Sequence, residues 1–506
     1  MGASDGTVKT RAKLALNDDF LRQAVRFTTD KLRDGKKKAT EEQGNWEDWR
    51  ERGELIRAHT IANLDYYLAQ FAKNARLHGA HVHFARDAAE AAAIAIAIAK
   101  EKQAGLAVKS KSMVTEEIHL NQAFAKANIK SVETDLGEYI IQLAEEAPSH
   151  IIIPAIHKNR RQVAEVLSRD AGENLPPETK VLAGYVRKKL REYFLAADVG
   201  ITGCNFAVAE TGSIVIFENE GNARMVSTVP KTQITLMGME RLIPSLDDLE
   251  VMATLLPRSA TGQRLTVYMS VITGPRRQDD GDGPENMHII VLDNGRSLQL
   301  GDAEFQDVLN CIRCGACLNV CPVYHQVGGH TYGSTYSGPI GAILKSALNG
   351  DVSTWDDSMN LCTLCGACTE ACPERIPLHN MFLHLRRRKV EAGHAQPAEK
   401  SAFKGFSYVM ADAKRYQTAL KFGRFGQRFI ARGGVIKAKI GPLKKWTASR
   451  YAPTLPKNSF RDDWASLHRE LEEQLPETSP EMLERLMRAK HNRETGGNGH
   501  GRTNRA

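Results

Sequence analysis

One stretch of this chain reads Cys311-Ile-Arg-Cys314-Gly-Ala-Cys317-Leu-Asn-Val-Cys321-Pro322, and a second reads Cys362-Thr-Leu-Cys365-Gly-Ala-Cys368-Thr-Glu-Ala-Cys372-Pro373. Eight of the nine cysteines lie in these two runs. The shared spacing, Cys-x2-Cys-x2-Cys-x3-Cys-Pro, is typical of proteins that bind a pair of [4Fe-4S] clusters. Electron transfer is therefore the first functional hypothesis for the chain.

The spacing also predicts which cysteines act together. Three cysteines three residues apart can surround one side of a cubane core from a single tight loop, while the fourth, followed by proline, leaves that loop for the other cluster. Small Gly-Ala pairs within each loop allow backbone N–H groups to approach the cluster sulfurs. The predicted ligands are Cys311, Cys314, Cys317 and Cys372 for the first cluster, and Cys362, Cys365, Cys368 and Cys321 for the second.

Other roles for the cysteines fit less well. Zinc sites generally use two separated Cys-x2-Cys pairs, and disulfide frameworks belong to small secreted proteins. Clusters that only brace the fold are an alternative to electron carriers, but two linked clusters favour a relay. Cys204, in an apolar run, is interpreted as a small buried hydrophobic residue.

Composition limits the class of protein. A chain of 506 residues with 42% apolar and 25% charged residues and a formal charge of +8 is expected to form two or three globular domains. Residues 1–50 are polar and resemble no signal peptide, and the longest apolar stretch, 91–99, is about half of what a bilayer requires. We expect a cytoplasmic protein, with iron inserted in a reducing compartment, and no nucleic-acid partner.

The chain changes character along its length. Residues 1–80 are polar with a helical pattern, and residues 81–300 alternate strand and helix patterns, which predicts an α/β domain with a largely parallel sheet. Residues 301–385 hold the cysteine runs. Residues 386–493 have a helical and basic pattern, and residues 494–506 are expected to be a disordered tail.

Several apolar segments of the predicted α/β domain are interpreted as strands. Ile151-Ile-Ile-Pro154 has the composition of a strand, and residues 199–209 form a long apolar run that predicts another. Further strands are predicted near residues 212–217, 233–237, 265–271 and 288–292.

Loops that follow predicted strands supply a candidate pocket for a small acid, because α/β sheets bind ligands beyond the carboxyl ends of their strands. Its residues are Glu210, Thr211, Gly212, Asn222 and Arg224. Arg224 is suited to hold a carboxylate through two hydrogen bonds. The alternative is ordinary turn chemistry.

A second, weaker candidate is the run Lys109-Ser110-Lys111-Ser112, which precedes a predicted helix and is suited to an anion. Its alternative is a solvated basic loop. Because the histidines show no ligand spacing and no Gly-x-Gly-x-x-Gly follows a strand, neither a catalytic metal nor a nicotinamide or flavin is predicted.

The basic region 401–450 contains twelve Lys/Arg residues and one acid, Asp412, with aromatic residues interleaved. Three interpretations remain open: a solvated face, a docking surface for an acidic partner, and peripheral contact with anionic lipid on the inner face of the membrane. Partner docking is favoured over membrane contact because Gly433-Gly434 would interrupt an interfacial helix.

Three stretches together resemble one family. They are Asp198-Val-Gly-Ile-Thr-Gly-Cys-Asn-Phe-Ala-Val-Ala-Glu-Thr-Gly-Ser213, Tyr336-Ser-Gly-Pro-Ile-Gly-Ala342 and the paired cysteine runs. Nearly the whole chain is similar to the lactate utilisation protein B family, the iron–sulfur subunits of a three-component bacterial L-lactate oxidation system.

The resemblance implies a LUD domain related to NagB/RpiA/CoA-transferase-like α/β folds, an α-helical ferredoxin-type domain with two [4Fe-4S] clusters, and a helical C-terminal region. It also implies two partners, a cysteine-rich redox subunit and a second LUD-domain protein. The implied role is electron transfer during oxidation of L-lactate to pyruvate as a component of an L-lactate dehydrogenase complex. Two alternatives stay open: service to another 2-hydroxy acid such as glycolate, and an α/β enzyme or ligand-binding module with structural clusters.

Overall fold

The computed structural model describes residues 6–436, 447, 450–474 and 484. The chain forms two compact units, Met1–His394 and Ala395–Ala506. The divisions predicted at residues 80 and 300 lie inside the first unit, so the N-terminal helices, the α/β part and the cysteine-rich part pack as one body.

A six-stranded sheet forms the centre of the α/β part. Its strands are β1 (His81–Ala85), β2 (Leu106–Lys109), β3 (Lys130–Glu133), β4 (Val199–Thr202), β7 (Thr232–Gly238) and β10 (Asn286–Leu292). The spatial order is β1-β10-β7-β4-β2-β3, and every neighbouring pair is parallel. The parallel sheet predicted from alternating strand and helix patterns is confirmed. The central strands β4, β7 and β10 are almost entirely buried, as expected where helices cover a parallel sheet, whereas the edge strand β1 alternates buried and more exposed residues.

A second, four-stranded sheet lies beside the first. Its strands are β5 (Phe206–Val208), β6 (Ser213–Glu218), β8 (Leu242–Ile243) and β9 (Tyr268–Ile272), in the order β8-β5-β6-β9. The prediction of one strand over 199–209 is wrong, because the chain leaves the first sheet after Thr202 and enters the second at Phe206. Gly203 is needed at this crossing, since a β-carbon there would lie 2.7 Å from Oγ of Ser112.

Twelve helices precede or surround these sheets. Four are N-terminal: α1 (Val8–Leu16), α2 (Asp19–Gln43), α3 (Trp46–Ala62) and α4 (Leu64–Leu77). Eight belong to the α/β part: α5 (Ala88–Glu101), α6 (Met113–Glu117), α7 (Leu120–Lys126), α8 (Leu136–Leu143), α9 (Arg160–Ala171), α10 (Thr179–Ala196), α11 (Asn222–Thr228) and α12 (Leu246–Thr261). The residues that begin α12 form a capping box between Ser245 and Asp248, which satisfies N–H groups of its first turn.

The segment 151–154 is not a strand, contrary to prediction; it is a series of bends beneath the cysteine-rich part. His150 accounts for this shape, because its Nδ1 accepts hydrogen bonds from the backbone of Ile152 (3.0 Å) and Ile153 (3.3 Å). These bonds take the place of the ladder bonds that a strand would use.

The cysteine-rich part contains two similar halves. Its elements are a 3-10 turn (Gln306–Asn310), α13 (Ala316–Asn319), α14 (Tyr324–Val327), α15 (Gly338–Leu348), a second 3-10 turn (Asp357–Leu361), α16 (Ala367–Ala371) and α17 (Leu378–Glu391). Each half begins with a 3-10 turn that ends at the first cysteine of a run, and the short helices α13 and α16 pack against each other.

The N-terminal helices connect the two parts. Helices α2 and α3 both pack on α12, α2 also packs on α13 and α14, and α3 packs on the 3-10 turn before Cys311. The region therefore contributes to the surroundings of the cysteines, although its sequence shows no catalytic spacing.

The second unit contains α18 (Pro397–Met410), α19 (Ala413–Gln427), β11 (Ala431–Arg432), β12 (Val435–Ile436), β13 (Ala452–Pro453) and α20 (Phe460–Gln474). Helices α18 and α19 pack on each other, and neither contains a buried residue. Residues 437–446 and the predicted tail 494–506 lie outside the described residues. Among those that are described, no helix combines the length and apolar character needed to cross a membrane.

Candidate iron–sulfur sites and an adjoining cavity

The eight cysteines surround two separate cavities. The first is lined by Cys311, Cys314, Cys317 and Cys372, with the buried carboxyl of Glu374 and the apolar residues Ile312, Ile340, Ile376 and Leu378 also on its walls. The second is lined by Cys321, Cys362, Cys365 and Cys368, with Val323, Leu361 and Phe382 among its walls. Each cavity thus brings together three cysteines of one run and the last cysteine of the other, as the spacing predicts.

The backbone has the same conformation beside the two cavities. The residues two places after the first cysteines, Arg313 and Leu364, have φ values of 61° and 59°, in the left-handed region that non-glycine residues rarely adopt. Their N–H groups consequently point at sulfur, at 3.4 Å from Cys311 Sγ and 3.3 Å from Cys362 Sγ. Such strain marks functional loops, and here it aims N–H donors at the thiol sulfurs.

The burial of the thiols favours a role as metal ligands. Burial raises the pKa of Cys314 and of Cys368 to about 12. Since only thiolates ligate metals, ionising these two buried thiols requires a compensating cation nearby. No three His, Cys, Asp or Glu side chains of the described chain are placed to share a single ion. A cubane core holds its ligands further apart, and the four-thiol sets, apolar walls and N–H donors fit it.

The two cavities differ in exposure. All four cysteines of the first are buried, with Cys314 only 7% exposed. In the second, Cys321 and Cys362 are half-buried and Cys365 is exposed. The first cavity therefore lies in the interior and the second opens at the surface.

Cations from the N-terminal helices approach the first cavity. Lys36 of α2 donates to the carbonyl of Ala371, and Arg50 of α3 donates twice to the carbonyl of Cys372, at 2.8 and 3.0 Å. Sequence reasoning missed these residues, because a charged helix 300 residues away carries no signal of the contact. Their positive charge favours the negative charge of ligated thiolates.

A buried ion network lies behind the first cavity. Glu240 is fully buried and pairs with Arg296 (2.6 Å), Arg313 (3.3 Å) and Arg241 (3.7 Å), while Arg296 also pairs with Glu117 (2.9 Å). Burial disfavours the charge on Glu240, but the three arginines outweigh it and lower the pKa of this carboxyl to about 2. Because Arg313 belongs to the cysteine-rich part and the rest to the α/β part, the network joins the two.

A third cavity, of about 290 Å³, lies between the α/β part and the first cysteine loop. Its charged wall residues include the cations Lys111, Arg241 and Arg313 and the carboxylates Asp135, Glu218 and Glu220. Apolar residues complete it, among them Met113, Ile152, Ile216, Phe217 and Leu256. Its size and mixed lining are those of a small-molecule site.

The structure separates the residues predicted to form a pocket. Asn222 lines the cavity, but Glu210, Thr211 and Gly212 do not; they lie at the opposite end of β6 from Glu218. Gly212 has a φ of +70°, and a β-carbon there would lie 2.2 Å from the backbone nitrogen of Ala75, so this turn serves the close approach of α4.

Two further predicted side chains are engaged elsewhere. Arg224 is not among the cavity residues, and its guanidinium stacks 5.1 Å from the ring centre of Tyr268. Glu210 accepts a hydrogen bond from the backbone of Leu246 at the start of α12. The five predicted residues therefore do not converge, because β6 carries them to both of its ends.

Most of the run 109–112 lies on the cavity wall rather than in a solvated basic loop. Ser110, Lys111 and Ser112 line it, while the buried amine of Lys109 pairs with Glu133 (2.7 Å) and Glu116 (2.9 Å). The sequence signal was the basic run directly after a strand.

Cys204 also lies on the cavity wall, where it is half-buried. Its thiol donates to the carbonyl of Phe206 at 2.8 Å, and burial raises its pKa to about 12. The side chain is thus a protonated thiol in contact with the cavity.

A parallel α/β sheet joined to two four-cysteine sites defines the class of iron–sulfur proteins that carry an α/β domain. The family models that match are the LUD domain over residues 68–292, the 4Fe-4S dicluster domain over residues 307–376, and "Lactate utilisation protein B, C-terminal" over residues 386–469. The chain belongs to the lactate utilisation protein B family, as its full-length relatives show.

Two such relatives are both named "Lactate utilization protein B". The one from Macrococcus caseolyticus (strain JCSC5402) is 49% identical over 470 residues, which cover 91% of this chain and 97% of the relative. The one from Bacillus cereus (strain B4264) is 48% identical over 473 residues, covering 93% and 98%. A crystal structure of a DUF162 family protein from Deinococcus radiodurans aligns with 15% identity and a TM-score of 0.26, over 45% of this chain and 98% of that one.

Proposed function

We propose that this protein is an electron-transfer subunit of lactate utilisation that holds two [4Fe-4S] clusters. An iron–sulfur role in lactate utilisation follows from the family to which the chain belongs and from its 4Fe-4S domain. The observation that carries the cluster number is the separation of eight thiols into two four-thiol cavities. Bound in such cavities, the clusters would supply one-electron chemistry.

The chain's own residues would bind and tune these groups. Apolar walls exclude water, and the N–H groups of Arg313 and Leu364 donate toward the ligand sulfurs. Hydrogen bonds to sulfur and nearby cations such as Lys36 and Arg50 stabilise added negative charge, which favours reduction. Burial differs between the sites, so the two are expected to have different potentials.

The difference in exposure between the two sites supports an order of electron exchange. We propose that the interior site, formed around Cys314, exchanges electrons with the second site, and that the second exchanges them with a partner where Cys365 reaches the surface. Structural clusters would have no need of an exposed ligand.

The remaining assignments are proposals of the same kind. The substrate of the whole system is L-lactate, oxidised to pyruvate, with glycolate as the alternative 2-hydroxy acid, and the protein acts in the cytoplasm. Its partners are a cysteine-rich redox subunit and a second LUD-domain protein. The parallel sheet supports a NagB/RpiA/CoA-transferase-like ancestry for the LUD domain.

The C-terminal unit supports docking to a partner. In α19 the aromatic side chains of Phe422 and Phe425 are exposed beside the basic residues Lys421, Arg424 and Arg428. Exposed apolar area of this kind marks an interaction surface. An acidic partner subunit fits this charge, and peripheral lipid contact is the alternative.

The test begins with protein purified without oxygen together with its partners. The expected contents are about eight iron and about eight sulfide atoms per polypeptide, which is two [4Fe-4S] clusters. L-Lactate should reduce the wild-type complex, and Cys314→Ser should abolish this reduction. Circular dichroism of the variant shows whether the α/β part is still folded. Clusters that no physiological reductant reduces would refute electron transfer, and reduction by glycolate alone would change the substrate.

A further inference from the structure

The cavity of about 290 Å³ has buried hydrogen-bond donors that nothing in the described chain satisfies. Arg241 and Arg313 line it, and the two residues are only 5% and 7% exposed. Nε and Nη1 of Arg313 are buried without a hydrogen-bond partner, and Nε of Arg241 has no hydrogen bond but lies 3.7 Å from Oε1 of Glu240. Unpaired buried donors are rare and costly, and the residues that carry them line this cavity, which points to a ligand beside them.

The carboxylates of the same cavity are in a different situation. Asp135 accepts hydrogen bonds from the first backbone N–H groups of α8, Glu218 accepts from Ala223 and Arg224, and Glu220 accepts from Leu136. The acids have backbone partners, whereas Arg241 and Arg313 share a single carboxylate, Glu240, with Arg296. This excess of positive charge makes the cavity complementary to an anion rather than to a cation.

Its shape and the nature of its donors narrow the class of anion. Two guanidinium groups line the cavity, and guanidinium is the side-chain group best suited to recognise a carboxylate. Lys111 is a third cationic residue of the wall, and its amine donates to the carbonyl of Ile152 (3.0 Å) and lies 3.8 Å from Glu138. Apolar wall residues such as Met113 and Ile216 would contact the short carbon chain of an organic acid. Inorganic phosphate has no such apolar part.

We propose that this cavity binds a small carboxylic acid, whose carboxylate is held by Arg241, Arg313 and Lys111 directly beside the first cysteine set. The placement has a consequence, because Arg313 lies between Cys311 and Cys314 and its backbone N–H points at Cys311 Sγ. A ligand on its guanidinium therefore acts on the surroundings of that sulfur.

The competing explanation is that the arginines only balance charge. The guanidinium of Arg241 donates to the carbonyl of Cys311 at 3.5 Å, and both arginines pair with Glu240. A role as counter-charge for ligated thiolates would explain their positive charge. It does not explain a cavity of this volume or the unpaired donors of Arg313, a residue that lines it.

Binding is tested on the full chain, prepared without oxygen and with its iron content measured. Pyruvate, L-lactate, glycolate and inorganic phosphate are each titrated calorimetrically; the choice of these acids rests on the proposed function. The variants are Lys111→Gln and Arg313→Gln, with Arg187→Gln, an exposed residue of α10, as the matched loss of one positive charge. Losing one charged hydrogen bond should weaken binding by about tenfold or more.

The expected result is binding of one or more organic acids to wild type and Arg187→Gln, and its loss in the two cavity variants. As a second readout, the bound acid should shift the paramagnetic resonance of the dithionite-reduced wild type but not that of Lys111→Gln. If Arg313→Gln loses iron, Lys111→Gln decides, since Lys111 is remote in sequence from the cysteines. Unchanged affinity in Lys111→Gln, or binding of phosphate alone, would overturn the inference.

The outcome is separable from that for the proposed function. Iron-replete protein that binds an acid but is never reduced through its partners refutes electron transfer and leaves the binding site standing. Iron-replete protein that is reduced by lactate but binds none of the acids refutes only the binding site.

Discussion

Arg57 should be one of the most sensitive residues outside the cysteine runs. This side chain of α3 is 1% exposed and donates to four backbone carbonyls. Two belong to the α/β part, Glu240 and Leu242 (2.5 Å), and two immediately precede Cys311, Leu309 (2.9 Å) and Asn310 (3.4 Å). One guanidinium thus ties the cysteine loop to the sheet.

The cost of Arg57→Ala follows from these contacts. Each hydrogen bond from a charged donor contributes about 1.5–3 kcal/mol, but the long bond to Asn310 counts for less and water can enter the space that is left. A loss of about 3–5 kcal/mol in the free energy of unfolding is therefore expected, as for other broken buried charge interactions. Arg57→Lys, which keeps the charge but loses the planar fork, should recover part of it.

The assay compares urea midpoints by far-ultraviolet circular dichroism under anaerobic conditions, together with the rate of iron release. Arg52→Ala, on the exposed face of the same helix, is the control and should have a small effect. Iron should leave Arg57→Ala faster, because the chain before Cys311 loses its attachment. A destabilisation no larger than that of Arg52→Ala, with unchanged iron release, would refute the reasoning.

Three other predictions follow from burial and packing. A chelator should remove iron in two phases, a fast one from the exposed second site and a slow one from the buried first site. Cys365→Ser should eliminate the fast phase and Cys314→Ser the slow one. A single phase in wild type would contradict the difference in exposure between the sites. Burial lowers the pKa of His150 to about 4 in the folded protein, whereas a histidine of the unfolded chain has a pKa of about 6.5. As the pH falls, the unfolded chain is therefore protonated at a higher pH than the folded protein, which favours unfolding. Stability should fall between about pH 6.5 and pH 4, and His150→Gln should reduce this slope in urea midpoints measured across that range. Gly53→Ala should lower the free energy of unfolding by about 1–3 kcal/mol, because the new β-carbon would lie 2.4 Å from a leucine of α12. Gly184→Ala, which has open space around it, is the control and should be neutral or stabilising. Equal urea midpoints for the two variants would exclude the clash.

Local patterns were sufficient for several features. The cysteine spacing predicts two crossed sets of thiols, because three ligands of each set lie within seven residues, and the structure groups the thiols in the same way. Alternating strand and helix patterns predict the parallel sheet because βαβ crossovers impose it. The errors arose at 151–154 and 199–209, where apolar residues serve bends and a change of sheet rather than one strand.

By itself, the sequence determined the thiol sets and the class of the sheet, since both depend on residues close together in the chain. Only the tertiary structure decided that Lys111, Arg241 and Arg313 share a cavity from which Glu210 and Arg224 are absent. It alone also brought Arg50 and Arg57 to the first cysteine set. The physical reason is that these contacts are made between segments up to several hundred residues apart, and helix and sheet packing places them together without leaving a periodic trace in the sequence.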